Sequence, residues 1–514
     1  MSDSRPDNRP GNRTVKRVLI VGGGTAGWMC AAALTRMLDT DAVDVRLVES
    51  EQIGTVGVGE ATLPGLADFN RMLGIREADF MAQTSATIKY GIEFVNWTQD
   101  GERYFHPFGT HGADLDGLPF HQYWLRLREQ GDASRIEDYC ITATAALEGT
   151  ATAPARDPKS LLSRLSHAYQ MDAALYARFL RRYAEERGLA RIEGRVTGVD
   201  LDSESGFVSA VALDDGRTLE ADLFIDCTGF RALLLGQALG VDYQSWAHWL
   251  PVDSAWTAQT TRGAHEKPYT RCTAKEAGWQ WRIPLQHRVG NGHVYSSRFM
   301  DDDAALHVFR DGLDDEPVTE PRNIKFTTGR RARFWDRNVV SLGLSGGFLE
   351  PLESTSIYLI QAGIKLLVSL WPGADCPPVE QDEFNTLMGR EFEQIRDFLL
   401  LHYVANERHG EPFWDHFRTL TLPDSLARKI ELFREGGRVF RYDGDLFSDT
   451  SWVAVFLGQN IIPQRHSGMV DAVPTDRLQQ SLDGMRKAVA STARAMPRHE
   501  DFLAKAGATY RDAS

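Results

Sequence analysis

Hydrophobic and polar positions change period several times along this chain, and each change marks an element. Arg17 to Val21 is a short β-branched run that stops at a glycine, after which Trp28 to Leu38 carries alanines and leucines at helical spacing. Val43-Asp44-Val45-Arg46-Leu47-Val48-Glu49 then alternates as a second strand. Together these predict a βαβ unit. Leu219 to Asp226 predicts another strand, leading into Cys227-Thr228-Gly229, and Val339-Val340-Ser341-Leu342-Gly343 predicts one more that runs into a glycine turn. Between them, Arg191 to Val199 and Val208 to Leu213 read as an antiparallel pair covering one face of the sheet, with a turn at Asp214-Asp215-Gly216.

Strands this far apart join one sheet when the intervening chain forms a second layer, so interleaved rather than linear units are expected. After about residue 371 helical stretches take over, such as Glu380 to Val404 and Asp476 to Ala495, and the strand signal that remains is Trp452 to Phe456. The expected organisation is a flexible polar tail over 1–16, an α/β region of interleaved α+β character over 17–370 with insertions at about 100–170, and a mainly helical region over 371–514.

Composition narrows the function classes. The 57 basic residues are outnumbered by 71 acidic ones, for a formal net charge of −14, and no lysine- or arginine-rich run gathers positive charge into a stripe. Duplex nucleic acid is therefore not an expected partner. Cys30, Cys140, Cys227, Cys272 and Cys376 are scattered and odd in number, without CxxC spacing, which argues against a disulfide framework or a zinc site and suits a reducing cytoplasm. The first sixteen residues lack the apolar stretch of a signal peptide, and no segment approaches the ~20 apolar residues of a membrane span.

The turn Gly22-Gly23-Gly24-Thr25-Ala26-Gly27 follows a strand and opens a helix, the context in which glycines let backbone N–H groups approach a pyrophosphate. Glu49, the acid that closes the second strand, comes 27 residues after Gly22. That is a little beyond the usual interval of ~20, and it suits an acceptor for ribose hydroxyls. A dinucleotide is the expected ligand.

Further segments carry a more specific pattern: Gly57-Val58-Gly59-Glu60-Ala61-Thr62-Leu63-Pro64, Lys89, Trp279-Gln280-Trp281-Arg282-Ile283-Pro284, and Phe348-Leu349-Glu350-Pro351-Leu352-Glu353-Ser354-Thr355-Ser356. With the glycine turn, these resemble the flavin-dependent halogenases of the tryptophan-halogenase type over nearly the whole chain. The third segment is similar to that family's WxWxIP signature, and the last to its FxxPxxSxG signature. The resemblance implies a FAD-binding, flavin-monooxygenase-like domain with a mainly helical substrate-binding subdomain. It also implies the chemistry: reduced flavin (FADH2) and O2 form a hydroperoxide that oxidises bound chloride or bromide, and the hypohalous acid travels through a tunnel to an aromatic ring.

Residue by residue, the resemblance implies flavin contacts at Gly22, Gly24, Thr25, Ala26, Gly27, Glu49, Glu60, Leu344 and Ile357. It implies halide binding by the amides of Thr355 and Ser356, the second standing where the family usually has glycine. Lys89 matches the essential lysine. As an ammonium it would hydrogen-bond hypohalite and as a free amine it would form a haloamine, and both stay open at this point. Glu353 matches the catalytic glutamate, Ser354 bridges it to the substrate, and Glu350, three residues earlier, is the rival acid. Trp279, Trp281 and Pro284 read either as barriers that keep substrate off the flavin or as core packing.

For the substrate, the resemblance places His106 and Phe108 on one side of the ring and Phe413 and Trp414 on the other. Members that take free tryptophan carry a tyrosine pair and a glutamate ahead of the phenylalanine-tryptophan pair. Here those positions read His402-Tyr403 and His409, with Glu407 and Glu411 alongside. Losing that acid removes a charge-assisted contact of roughly 1.5–3 kcal/mol. An indole-type ring, alone or carried on a larger molecule, is expected rather than free tryptophan. A separate flavin reductase supplying FADH2 is implied, and a homodimer is left open. The rival readings are a flavin aromatic monooxygenase, which needs neither Lys89 nor a halide pocket, and a non-catalytic flavin-binding protein.

Overall fold

The computed structural model describes residues 14–52, 59–442 and 444–506. The βαβ unit forms as expected: Arg17–Val21 and Asp44–Glu49 pair in parallel and are joined by the helix Thr25–Met37. The helix begins hard against the strand. A Cβ on Gly27 would sit 1.9 Å from the Gly22 carbonyl oxygen, so only glycine permits that approach.

The central sheet runs in the order Trp335–Asp336, Val339–Ser341, Leu223–Asp226, Arg17–Val21, Asp44–Glu49, Ala190–Glu193. Period-two alternation sorts its faces. Val18 and Ile20 enter the main core, while Leu19 and Val21 pack with Val208, Val211, Leu213 and Leu219 of a small antiparallel sheet that covers the other face.

Two strand expectations need correction. Arg191 to Val199 is interrupted at Gly194-Arg195, leaving Ala190–Glu193 as a parallel edge of the central sheet and Val196–Leu201 in the cover. Leu219 to Asp226 divides in the same way between Thr218–Glu220 and Leu223–Asp226. The Asp222 carboxylate accepts from the backbone N–H groups of Lys16 and Arg17 at 3.0 and 2.9 Å, which turns the chain out of the cover and into the sheet.

A larger sheet carries the candidate chemistry, in the order Arg322–Lys325, Ser254–Thr260, Val289–Tyr295, Gly278–Pro284, Thr270–Lys275, Gly91–Val95, Arg103–Pro107. Beside it, Ala168–Met171 pairs with both Glu60–Ala61 and Thr87–Lys89.

The C-terminal region is helical, including Pro378–Val404 and Thr475–Ala495 as expected. Trp452 to Phe456 is not a strand but the middle of the helix Asp449–Gly458. Ser448 caps that helix, its Oγ accepting from the Ser451 N–H at 3.2 Å, and a short apolar run buried on all sides suits either element. One hydrophobic cluster runs from Val15 to Leu503 and joins this layer to the sheets. The tail expected over 1–16 is already anchored at its end: Thr14 bridges Gly373 and Val15 is 1% exposed. The remainder of that tail, together with Gly57 and Val58, lies outside the described residues. Among the described residues, no helix is long and apolar enough to cross a membrane.

Candidate active site

A cavity of about 500 Å³ extends from the glycine turn to the Pro351–Ile357 segment. Its geometry fits an extended dinucleotide. Gly22 has φ of +109°, and a Cβ there would meet the Cys227 carbonyl oxygen at 2.4 Å. Gly24 opens onto free space, and the helix beginning at Thr25 has no side-chain cap, so its first N–H groups remain available to phosphate at the cavity wall. Glu49 lines the same cavity, and its Oε1 accepts from Arg191 Nε at 2.7 Å. Glu60, Leu344 and Ile357 also line it, and burial pushes the Glu60 carboxyl up to about 7. Gly27 is the exception among the expected flavin contacts: it serves the close strand–helix approach beneath the turn and does not line the cavity.

At the far end, Pro351–Glu353 forms a single 3₁₀ turn, Ser354 adopts a left-handed φ of 60°, and the helix Ser356–Ser369 follows. Ser354 and Ser356 lie on the cavity wall, while Glu353 and Thr355 are fully buried. The left-handed position is Ser354 and not Ser356, so serine in place of glycine at 356 strains nothing. No side chain caps this helix either, which leaves the amides around Thr355 and Ser356 free to meet an anion.

Lys89 is the link from that segment to the other side. The alternating run Thr87 to Phe94 forms two strands, Thr87–Lys89 and Gly91–Val95, in different sheets. The chain switches at Tyr90, whose N–H bonds the Pro268 carbonyl, and at Gly91, where a Cβ would lie 2.3 Å from the His106 carbonyl oxygen. Lys89 thereby ends 0% exposed, contrary to the usual fate of a strand lysine. Its Nζ donates to Ser354 Oγ at 2.8 Å and to the Thr62 carbonyl at 3.1 Å, and lies 5.0 Å from the Phe108 ring centre. Burial lowers the ammonium to about 7 against the opposing pull of Glu353.

The two glutamates of the segment have opposite surroundings. Both carboxylate oxygens of Glu353 lie 3.0 Å from His106 Nδ1, and Oε1 lies 2.9 Å from His402 Nε2. Burial alone would raise this carboxyl, but His106 and then His402 outweigh it and hold the group at about 2. Glu350 has no such partner. Its Oε2 accepts from Trp279 Nε1 at 2.9 Å and Tyr403 Oη at 2.8 Å, and burial carries it up to about 7. Within the WxWxIP strand, Trp281 and Ile283 face the cavity, whereas Trp279 is fully buried against Glu350.

Lys89, Glu353, Ser354, His106 and Phe108 thus come together. Phe413 and Trp414 do not join them. Both are 0% exposed, the Trp414 ring stacks on Tyr403 and its Nε1 donates to the Lys275 carbonyl at 2.8 Å. Trp97, which packs against both Trp414 and His402, stands between. The rings that flank His106 are instead Phe108, Phe398 and Phe447. Phe398 and Phe447 are not legible as site residues in the sequence, and His402, which the resemblance sets at a substrate-gripping position, faces Glu353 instead. His402 and Phe398 share one face of a long helix at i, i+4 spacing, a pattern that ordinary core packing also produces.

Comparisons with known proteins identify the family. The tryptophan halogenase family profile matches residues 17–475. A tryptophan 6-halogenase of Streptomyces toxytricini is 34% identical over 96% of this chain and 99% of its own. A solved flavin-dependent halogenase from Xanthomonas campestris is 47% identical, with a TM-score of 0.93 over 98% of this chain and 99% of that one. Another, from Brevundimonas sp. BAL3, is 45% identical, with a TM-score of 0.92 over 96% and 99%. With the family profile spanning most of its length and a cavity suited to FAD leading to a buried lysine, the chain belongs to the tryptophan halogenase family.

Proposed function

We propose that this flavin-dependent halogenase installs chloride or bromide on an indole-type ring, with Lys89 and Glu353 as the residues that handle oxidant and proton. The observation that carries the reading is the Lys89–Ser354 hydrogen bond at 2.8 Å, because Ser354 is also a wall of the flavin cavity. When bound, reduced flavin with O2 supplies the oxidising equivalents for halide. The amides of Thr355 and Ser356 hold the halide at that end of the cavity. Two of the three Lys89 N–H donors are spent on Ser354 and Thr62, leaving one for the oxygen of hypohalous acid, which is thereby activated and aimed. Lys89 is read here as an ammonium donor. Glu353, held as a carboxylate, takes the proton that the substituted ring carbon must release.

The groups that would grip a free amino acid are otherwise occupied. Tyr403 Oη is bonded to Glu350, His402 contacts Glu353, and Glu411 accepts two bonds from Arg408 at 2.6 and 2.7 Å. His409 is solvent-exposed. These contacts favour a ring without the tryptophan ammonium and carboxylate as the native substrate. Phe413 and Trp414 back the aromatic wall around Tyr403. FADH2 comes from a separate flavin reductase in this reading.

The test is a product survey. Enzyme, a flavin reductase, FAD, O2 and bromide are incubated with a panel of indoles and with free tryptophan, and masses are read. Singly brominated indoles bearing the bromine isotope doublet are the expected products. Hydroxylated products free of bromine would make the protein a monooxygenase.

A further inference from the structure

Lys89 closes a strand of only three residues, and that strand is paired along one side. Thr87–Lys89 is the edge of the sheet it makes with Ala168–Met171 and Glu60–Ala61. On the open side, the Ile88 N–H donates to Nε2 of His499 at 3.3 Å. Nδ1 of the same ring lies 3.1 Å from the Glu266 carbonyl oxygen. Both partners are backbone groups with fixed roles, one a donor and one an acceptor, so Nε2 is bare and Nδ1 carries the hydrogen. Burial of the ring, which is 1% exposed, lowers His499 to about 4 and keeps it neutral. An imidazole thus bridges two backbones at a place where a sheet would otherwise use a direct ladder bond.

Both ends of this bridge are themselves held. The Glu266 carboxylate accepts from Arg282 Nη2 at 2.7 Å, and Arg282 belongs to the strand whose Trp281 and Ile283 face the flavin cavity. Two residues on, the Pro268 carbonyl accepts from the Tyr90 N–H at 2.7 Å. The loop therefore grips the chain directly after Lys89 and, through His499, directly before it. His499 is anchored in turn, its N–H donating to the Gly149 carbonyl at 3.0 Å while the Ala151 N–H donates to that of Pro497 at 3.0 Å. It lies beyond residue 475, where the family match ends. Little freedom is allowed at Lys89, because Nζ must meet Ser354 Oγ at 2.8 Å and the Thr62 carbonyl at 3.1 Å. A misplacement of ~1 Å at a reacting group costs up to ~10²-fold in rate.

We infer that His499 is a positioning residue, whose bridge from the Ile88 N–H to the Glu266 carbonyl holds the Lys89 strand where the amine captures hypohalous acid before it escapes. The inference rests on the role given to Lys89 in the proposed function. Substitution separates the two halves of the bridge: His499→Gln carries an amide oxygen out to the Ile88 N–H, whereas His499→Asn reaches the Glu266 carbonyl and stops short of Ile88. In flavin-free, full-length protein, amide hydrogen exchange at Ile88 should quicken ~5-fold or more in His499→Asn and stay within ~2-fold of wild type in His499→Gln. Bromination is then run with a flavin reductase, FAD, O2, bromide, an indole and a cyclic diketone that traps hypobromous acid leaving the protein. His499→Asn should lower the ratio of brominated indole to brominated diketone ~5-fold or more, and His499→Gln should restore it. Poor folding lowers both products alike and leaves that ratio unmoved, so a small yield of folded variant still gives an answer. Unchanged exchange at Ile88, an unmoved ratio in His499→Asn, or equal leakage from the two variants would make His499 a packing residue and overturn the inference. A Lys89→Met protein with the wild-type ratio would instead strike the role given to Lys89 and leave the anchoring of its strand, read by exchange, standing.

Discussion

The Lys89 Nζ and the Ser354 Oγ are 2.8 Å apart although 265 residues separate them along the chain. That hydrogen bond joins a strand end buried beside the aromatic wall to a segment that also lines the flavin cavity. In the proposed function this hydroxyl and this amine form the hand-over of oxidant from one side to the other.

Removing the amine should abolish the reaction without disturbing the cofactor. Lys89→Met is expected to lower halogenation at least ~10²-fold, the lower bound for a positioned acid–base group. FAD affinity, read by quenching of flavin fluorescence, should stay near wild type because Lys89 does not line that cavity. Ser354→Ala should cost ~10-fold, about the worth of one hydrogen bond to a charged group. Equal activity of wild type and Lys89→Met would refute the assignment.

Burial of Lys89 also leaves a mark on stability, and its sign is fixed. The folded-state value is lowered to about 7, whereas the unfolded lysine titrates near ~10.4. Below about pH 7 both states hold the proton and the full cost of burying the charge is present; between the two values the unfolded chain binds the extra proton, so stability rises with pH. Lys89→Met lacks this slope. Urea unfolding should find the variant more stable than wild type near pH 6 by a few kcal/mol, with the gap closing towards about pH 10. A gap independent of pH would place the amine in solvent-like surroundings, and one that widened with pH would mean that folding raises rather than lowers its value.

The glycine turn makes a separable prediction for the cofactor. Gly22→Ala drives a Cβ into the Cys227 carbonyl at a left-handed backbone position, so it should lower both melting temperature and FAD affinity. Gly24→Val points into open space, so the fold should tolerate it while FAD affinity drops ~10-fold or more through lost access of phosphate to the helix N-terminus. Flavin titration and thermal melts of the two variants separate a structural glycine from a ligand-facing one.

Much of the fold could be read from local pattern, and the failures share a cause. The βαβ unit was legible because glycines, alternation and the closing acid all lie within some thirty residues and agree with one another. Arg191 to Val199 looked like one strand because Gly194 breaks an otherwise even alternation without changing it, and only pairing shows that the halves belong to different sheets. Trp452 to Phe456 was misread because a run buried on every side has no period to detect. In the site, Lys89 taken alone reads as a solvated strand residue; resemblance, not pattern, marked it. His402 reaches Glu353 through the packing of a long helix onto the sheet, and no local signal encodes a contact of that kind.

The two glutamates of the segment give the sharpest separation. Glu350 and Glu353 are both fully buried, three residues apart, and an acid of either sort could serve a proton transfer. Their partners differ. Glu350 accepts from a tryptophan N–H and a tyrosine O–H, bonds that an amide oxygen makes equally well, and burial holds its carboxyl near 7. Glu353 faces two histidines that favour its anion. Glu350→Gln should therefore keep turnover within ~3-fold and cost at most about 1 kcal/mol of stability, the scale of one neutral hydrogen bond. Glu353→Gln, which keeps the shape but removes the charge that accepts the ring proton, should lower turnover by ~10² or more at unchanged FAD affinity. Single-turnover bromination with preloaded reduced enzyme isolates the chemical step from flavin supply. If Glu350→Gln proved the slower of the two there, the proton would leave through the Trp279–Tyr403 side of the segment, and the histidine pair would have to be read as scaffolding.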